Sequence, residues 1–307
     1  MFINTINPIA FELGFLTIRW YGIFLGLGVG LGLLTLVTIA RRQMETTTTT
    51  PALRSAELRS GTASPSLEKG GGRSPDELLS IALWLIIGGL IGARIGHILF
   101  YNLNHFLSNP IEIIMINHGG LSSHGMALGL ILAFLVYIKI KATTPDPSLG
   151  RRGYFLAWRD IIDLLVIPIP LIAGFIRIGN YFNSEIVGRA SDLPWAVQFP
   201  LYESNPIFRH PSQIYEALIA FAVFGILLLI RYRYPLLPKE GSGVVAYQLT
   251  PPSLTFIFIF LYFTTRFLIE FVKEYPTYFH LTIGQWLSVP FIFFSTIWLT
   301  NKFLRNK

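Results

Sequence analysis

IRWYGIFLGLGVGLGLLTLVTIA, residues 18–40, decides the architecture. After Arg19 it runs to Ala40 without a single charge. A helix needs about 20 mainly apolar residues to cross a bilayer core about 30 Å thick. This stretch meets that requirement and is expected to stay as a first membrane helix. It has no basic start, is too long for the apolar part of a secretion signal, and ends in RRQ rather than in small residues.

Six further stretches of the same kind lie at about 78–101, 120–140, 161–181, 214–232, 253–273 and 283–300. Composition agrees with a membrane chain: 52% of residues are apolar and only 13% are charged. A soluble domain carries about 25% charged residues, so a disordered chain is excluded and an ordinary soluble globule is disfavoured. The expected fold is an all-α polytopic bundle of about seven transmembrane helices, forming one integral-membrane domain over 1–307. Residues 41–77, rich in Thr, Gly, Ser and Pro, read as a flexible linker. Residues 182–211 read as a small ordered cap, and the alternation in WAVQFPLY (195–202) hints at a hairpin. With no cysteine, the chain can offer no thiol nucleophile, disulfide or Cys-bound metal.

Lysine and arginine set the orientation. One side collects Arg41, Arg42, Arg54, Arg59, Lys69 and Arg73, then Lys139, Lys141, Arg151, Arg152 and Arg159, then Arg231, Arg233 and Lys239, and finally Lys302, Arg305 and Lys307. The other side has Arg19, Arg189, Arg209 and Lys273. The N-terminus is therefore expected outside and the C-terminus in the cytoplasm. The net charge of +7 is thus spent on topology, and no nucleic-acid partner is expected.

An ionisable side chain inside a span is costly and marks function by default. Arg94 lies seven residues before Tyr101, roughly 10 Å below the outer boundary. His124, Arg177, Arg266 and Glu270 also fall in the outer parts of their spans. Arg19, Trp20 and Tyr21 open the first span, and His210 and Glu216 flank the start of the fifth. A transporter needs a site near the midplane, and a proton pump needs a relay through the membrane; neither pattern is present. A polar pocket in the outer leaflet points to chemistry on a lipid headgroup or an exported peptide. Clustered arginines favour an anion.

Four stretches carry the chemistry, and each has a structural alternative. In NHGGLSSHGMALG (117–129), His124 opens a helix and suits a general base, or hydrogen-bonds between helices. In GFIRIGNYFNSEIVGR (174–189), Arg177 holds a phosphate or snorkels to water. In RHPSQIYE (209–216), Pro211 suits the first helical position, while Gln213, Tyr215 and Glu216 supply hydrogen bonds or counter-charges, or only cap the helix. In YFTTRFLIEF (262–271), Arg266 and Glu270 stand four apart and can pair. Arg before Glu is the weaker order, which favours another partner for Arg266. No serine-hydrolase elbow, P-loop, zinc-protease motif or metal cluster is present.

Together with RWYG (19–22), GARIGHILFYN (92–102) and RFLIEFVKE (266–274), these stretches resemble the prolipoprotein diacylglyceryl transferase family, in its order and over nearly the whole chain. Two departures stand out: a longer linker at 41–77, and His97 where the family often has tyrosine. The resemblance implies a multi-pass enzyme of the bacterial inner membrane, with its active site toward the outer leaflet. It implies transfer of the diacylglyceryl group of phosphatidylglycerol to the lipobox cysteine of a prolipoprotein signal peptide. The products are a thioether and glycerol phosphate. His124 is then expected as the base, with Arg177 and Arg266 as headgroup and leaving-group clamps. Tyr21, Asn180, Glu185, Gly188 and Arg189 are expected to shape the substrate pocket, with Glu270 orienting Arg266 and Arg94 in support. No cofactor and no metal are expected. The competing readings are another outer-leaflet headgroup transferase, a lipid flippase and an anion channel. Only the first reading adds a diacylglyceryl unit to a cysteine.

Overall fold

The computed structural model describes residues 1–14, 16–48, 75–101, 103–115, 122–142, 161–233, 237–238, 247–248 and 253–305. Six helices are long and apolar enough to cross a membrane: Trp20–Arg42, Leu78–Phe100, Ile161–Phe182, Ser212–Arg233, Leu254–Val272 and Ile283–Lys302. The stretch expected at 120–140 yields a shorter apolar helix, His124–Ile140. Large apolar side chains such as Ile87, Leu132, Leu229 and Phe293 stand exposed along these helices. Exposure on that scale suits lipid rather than water. The chain is a polytopic helical membrane protein.

The helices fall into two compact units. The first contains α1 (Trp20–Thr48), α5 (Pro168–Phe182), α6 (Ser212–Arg233), α7 (Leu254–Ile269) and α8 (Ile283–Arg305). Here α1 packs on α5, α5 on α6, α6 on α7, and α7 on α8. Small residues bring the first pairs close, as apolar association alone does not hold helices together in lipid. A Cβ on Gly28 of α1 would lie 3.0 Å from the Phe175 Cβ, and one on Gly174 of α5 would lie 2.4 Å from the Phe221 ring. The α7–α8 contact instead stacks rings, Phe256 on Trp298 at 3.9 Å and Phe263 on Phe291 at 4.2 Å between centroids.

Helix ends in this unit are satisfied by side chains. Thr282 and Gln285 form a reciprocal capping box at α8: the Thr282 N–H donates to Gln285 Oε1 at 3.0 Å, and the Gln285 N–H to Thr282 Oγ1 at 3.2 Å. The start of α7 is capped from another helix. Asp163, 5% exposed, accepts from Ser253 Oγ at 2.6 Å, from the Thr255 N–H at 2.9 Å and from the Thr255 hydroxyl. A carboxylate at a helix N-terminus offsets the exposed N–H dipoles. Asp163 is therefore a buried ionisable group that the depth reading overlooked.

The second unit contains α2 (Pro75–Tyr101), α3 (Leu103–Ser108), a short turn at Pro110–Ile113 and α4 (Ser123–Ala142). Gly88, Gly92 and Gly96 of α2 meet Gly125 and Gly129 of α4 backbone to backbone. The Ser122 N–H donates to the Ala93 carbonyl at 2.9 Å, fixing the entry to α4.

Helix α1 continues to Thr48, eight residues into the expected linker, and α2 begins at Pro75. Arg41, Arg42, Gln43, Met44 and Glu45 are good helix formers, and the next breaker is Pro51. Residues 49–74 of that linker lie outside the described residues. The hairpin expected near 195–202 is present: β4 (Val197–Gln198) pairs antiparallel with β5 (Phe208–Arg209), and β1 (Phe2–Ile3) adds in parallel. Val187, Val197 and Phe199 form its core, with Tyr181 against them. A second hairpin joins β2 (Ile9–Leu13) to β3 (Leu16–Arg19), turning at Gly14 with φ +59°.

Candidate active site

The first unit gathers its ionisable groups where α5 ends, α6 begins and α7 ends. Arg177, in the last turns of α5, forms an ion pair through Nε with Glu216 Oε2 of α6, and donates from Nη1 to Asn180 Oδ1 at 3.4 Å. Asn180 Nδ2 donates to Glu185 Oε2 at 3.1 Å, and Asn183 Nδ2 to Glu185 Oε1 at 3.2 Å. A single carboxylate thus ties the helix end to the loop that follows.

That loop is strained and heavily tied down. Ser184 and Ile186, either side of Glu185, have φ of +55° and +56°. Positive φ is a true outlier for a β-branched residue such as isoleucine, and surrounding bonds must hold it there. They do: Gln213 Nε2 donates to the Glu185 carbonyl at 2.6 Å, Ser212 Oγ to the Ile186 carbonyl at 2.8 Å, and Asn4 Nδ2 to Ser184 Oγ at 3.2 Å. The motif at 209–216 therefore supports the loop, through Ser212 and Gln213, and also supplies Glu216. Pro211 stands one position before α6, and its carbonyl accepts from Tyr215.

Gly188 has no room for a side chain. A Cβ would sit 2.6 Å from the His210 carbonyl oxygen and 2.8 Å from that of Val272. The Gly188 N–H donates to His210 and the Arg189 N–H to Val272, at 3.0 and 2.9 Å. Tyr21 lies against Gly179, where a Cβ would come within 2.9 Å of its ring. Arg209 fastens the outer part of this loop, gripping Glu203 with two bonds of 2.6 and 2.8 Å and Glu274 with one of 2.5 Å. The Arg209 guanidinium holds the Glu203 carboxyl below the usual range, and Glu203 raises that of Arg209 in return. Burial and the nearby Arg189 charge push His210 down.

An open cleft of about 500 Å³ lies between α5, α6 and α7. Arg177, Glu216 and Arg266 line it together with Pro170, Ala173, Ala220 and Val223. From Arg177 to Pro170 is seven residues of helix, so the apolar wall runs roughly 10 Å from the charged groups. Arg266 makes no side-chain hydrogen bond or ion pair among the described residues. The expected pair with Glu270 does not form. Glu270, 4% exposed, instead accepts from Thr282 Oγ1 at 3.0 Å and faces Lys273 Nζ at 4.0 Å. Gly284 leaves the room for Glu270: a Cβ there would lie 2.4 Å from Glu270 Oε1.

Lys273 carries no assignment from the sequence beyond its charge. Its side chain is 3% exposed and it also pairs with Glu216 Oε1. The usable signal was its spacing three residues after Glu270 at the end of an apolar run. Tyr275 lies alongside, its ring 5.8 Å from Lys273 Nζ. Burial, then the charges of Glu270 and Glu216, raise its phenol above the usual value.

Tyr21, Arg177, Asn180, Glu185, Gly188, Arg189, Arg266 and Glu270 thus come from one unit, and His124 and Arg94 from the other. His124 stands exposed in the first turn of α4. Arg94 bonds to backbone within its own unit. It is 6% exposed and donates to the backbone carbonyls of Glu112, Ile113 (3.0 Å) and Met115 (3.2 Å), with its guanidinium 5.0 Å from the Phe106 ring. It holds the segment after α3. Carbonyls at a helix or turn end that lack an internal partner are satisfied by such a donor. Among the described residues no group of three or more His, Asp or Glu gathers as metal ligands.

A family model described as prolipoprotein diacylglyceryl transferase matches residues 8–300. The chain is 33% identical over 288 residues to a phosphatidylglycerol–prolipoprotein diacylglyceryl transferase of Chloroherpeton thalassium, covering 92% of this chain and 88% of the relative. It is 35% identical over 307 residues to that of Azospirillum brasilense, covering 98% and 96%. It is 43% identical over 227 residues to that of Protochlamydia amoebophila, covering 71% and 55%. The chain belongs to the prolipoprotein diacylglyceryl transferase family, the membrane transferases of lipoprotein biosynthesis.

Proposed function

We propose that this chain transfers the diacylglyceryl group of phosphatidylglycerol to the lipobox cysteine thiol of an exported prolipoprotein, from the outer leaflet of the bacterial inner membrane. The observation that carries the reading is the cleft with two arginines at one end and an apolar wall below, one of those arginines having no carboxylate partner among the described residues. A phospholipid has that polarity. The basic bias supports an outer position for the N-terminus and the charged end of the cleft.

The thiol arrives on the peptide with a pKa near 8.5, so it needs a base at neutral pH. His124 takes that proton. The thiolate attacks the glycerol carbon that carries the phosphate; the C–S bond forms, the C–O bond breaks, and glycerol phosphate leaves. The phosphate passes from a diester with one charge to a monoester with about two, so negative charge develops on the leaving oxygen. Arg177, held from behind by Glu216, grips the headgroup, and Arg266 takes the developing charge. Donors aimed at developing charge are worth roughly 10²–10³ in rate each. Tyr21, Asn180, Glu185, Gly188 and Arg189 shape the site around Arg177.

The test is mass analysis of a lipobox peptide incubated with enzyme and phosphatidylglycerol. A diacylglyceryl gain on cysteine supports the reading, and lipid transport without a covalent product overturns it. His124→Gln should abolish turnover at pH 7 and recover in part at pH 9, where the thiol ionises unaided. Arg177→Lys and Arg266→Lys keep charge but lose the planar fork, and should gain nothing from high pH. Near-normal turnover of His124→Gln at pH 7 would remove it as the base.

A further inference from the structure

Glu216 sits between two cations. Its Oε2 takes Arg177 Nε and its Oε1 takes Lys273 Nζ. Arg177 is 22% exposed and Glu216 10%, and both line the cleft; Lys273 is 3% exposed and lies behind them. A carboxylate is free to chelate a guanidinium with both oxygens in a fork-to-fork pair. Here the second oxygen is held by Lys273 and Nη1 of Arg177 is taken by Asn180, which leaves Nη2 of Arg177 for another anion. Lys273 is the only group given an ion pair with that second oxygen among the described residues. The lysine is itself fixed. Its N–H donates to the Glu270 carbonyl at 3.1 Å, Gly188 pairs with it across a β-bridge, and its Nζ faces Glu270 at 4.0 Å.

We infer that Lys273 is a positioning residue for lipid binding: by holding Oε1 of Glu216, it keeps that carboxylate from occupying both edges of Arg177, so that Arg177 remains available to the phosphate of the lipid headgroup. The inference rests on the proposed lipid substrate. Lys273 does not touch the lipid; it acts through Glu216. Without its cation, Glu216 rotates onto Arg177 and competes with the phosphate for one guanidinium.

The claim has an epistatic signature. Lys273→Met should weaken phosphatidylglycerol binding by about tenfold or more, the usual worth of one charge-assisted hydrogen bond, with KM for the lipid rising and kcat changing much less. Lys273→Arg should restore affinity, because it keeps the cation. The double variant Lys273→Met/Glu216→Gln should bind lipid better than Lys273→Met alone, since the competing charge is gone. A lysine that bound phosphate directly, or that only stabilised the fold, would give no such recovery.

The experiment measures binding of phosphatidylglycerol in detergent micelles, and separately KM and kcat for transfer to a lipobox peptide, on full-length protein of verified thermal stability. Lys273→Gln replaces Lys273→Met if the latter is not recovered folded. Recovery by Glu270→Gln but not by Glu216→Gln would overturn the inference, as would unchanged lipid affinity in Lys273→Met. Absence of peptide modification by the unmutated enzyme would instead sink the proposed reaction, whatever order the lipid affinities take.

Discussion

Replacing Gly92 by alanine tests the crossing of α2 and α4 and, through it, the proposed base. A Cβ at Gly92 would lie 2.5 Å from the Gly125 carbonyl oxygen and 2.5 Å from the Gly129 Cα. Non-bonded heavy atoms settle near ~3.5 Å, so the helices must part by about 1 Å. The obstructing atoms are backbone and cannot rotate aside. Overpacking of this kind costs about 1–3 kcal/mol. Gly125 follows His124 directly, so the imidazole moves with the crossing. A catalytic group misplaced by about 1 Å can cost roughly 10²-fold in rate. We expect Gly92→Ala to lower the Tm of the detergent-solubilised enzyme by several degrees and peptide modification by about 10- to 100-fold at pH 7. Gly225→Ala is the control, since its Cβ would meet nothing within 4 Å. Gly92→Ala with wild-type Tm and full turnover would refute both the tight crossing and its link to His124.

Three further outcomes are expected. A reporter active only outside the cytoplasm should work when fused near residue 200 and fail near residue 60 or 307; the reverse would put the cleft's charged end on the cytoplasmic side. Replacing residues 49–74 with a short Gly/Ser loop should leave most turnover intact, because a flexible chain only has to join Thr48 to Pro75; loss of turnover in correctly inserted protein would show that the segment has a role. The Glu203–Arg209 clasp should fail in acid. Its carboxyl is held below the ordinary glutamate value of about 4.3, so its contribution is complete above that pH and is lost as pH falls through the lower folded value. Proteolysis of the 182–211 segment should accelerate on acidification in the wild type, and Glu203→Gln should already show the fast rate at pH 7. Equal rates in the two proteins at pH 7 would show that the clasp contributes nothing.

The membrane-spanning character was legible in the residue order alone. Hydropathy is a local property: twenty apolar residues demand a bilayer whatever their neighbours are. The spacing of Arg266 and Glu270 was also legible, but Glu270 turns to Thr282 and Lys273 and the two do not pair. Partner choice was not. Lys273 is one basic residue among 24 until the end of α7 folds it behind Glu216. Asp163 looks like a charge at a span boundary until Ser253 and Thr255 arrive from ninety residues away. Arg94 is one arginine inside an apolar span until the backbone carbonyls of Glu112, Ile113 and Met115 take its donors. Positive φ at Ile186, a residue that sequence rules keep out of that region, is imposed by Ser212 and its neighbours from another helix. Ionic and hydrogen-bonding groups in a low-dielectric interior must find partners. Which partner they find depends on which helix faces meet, and here close glycine contacts and stacked rings decide that.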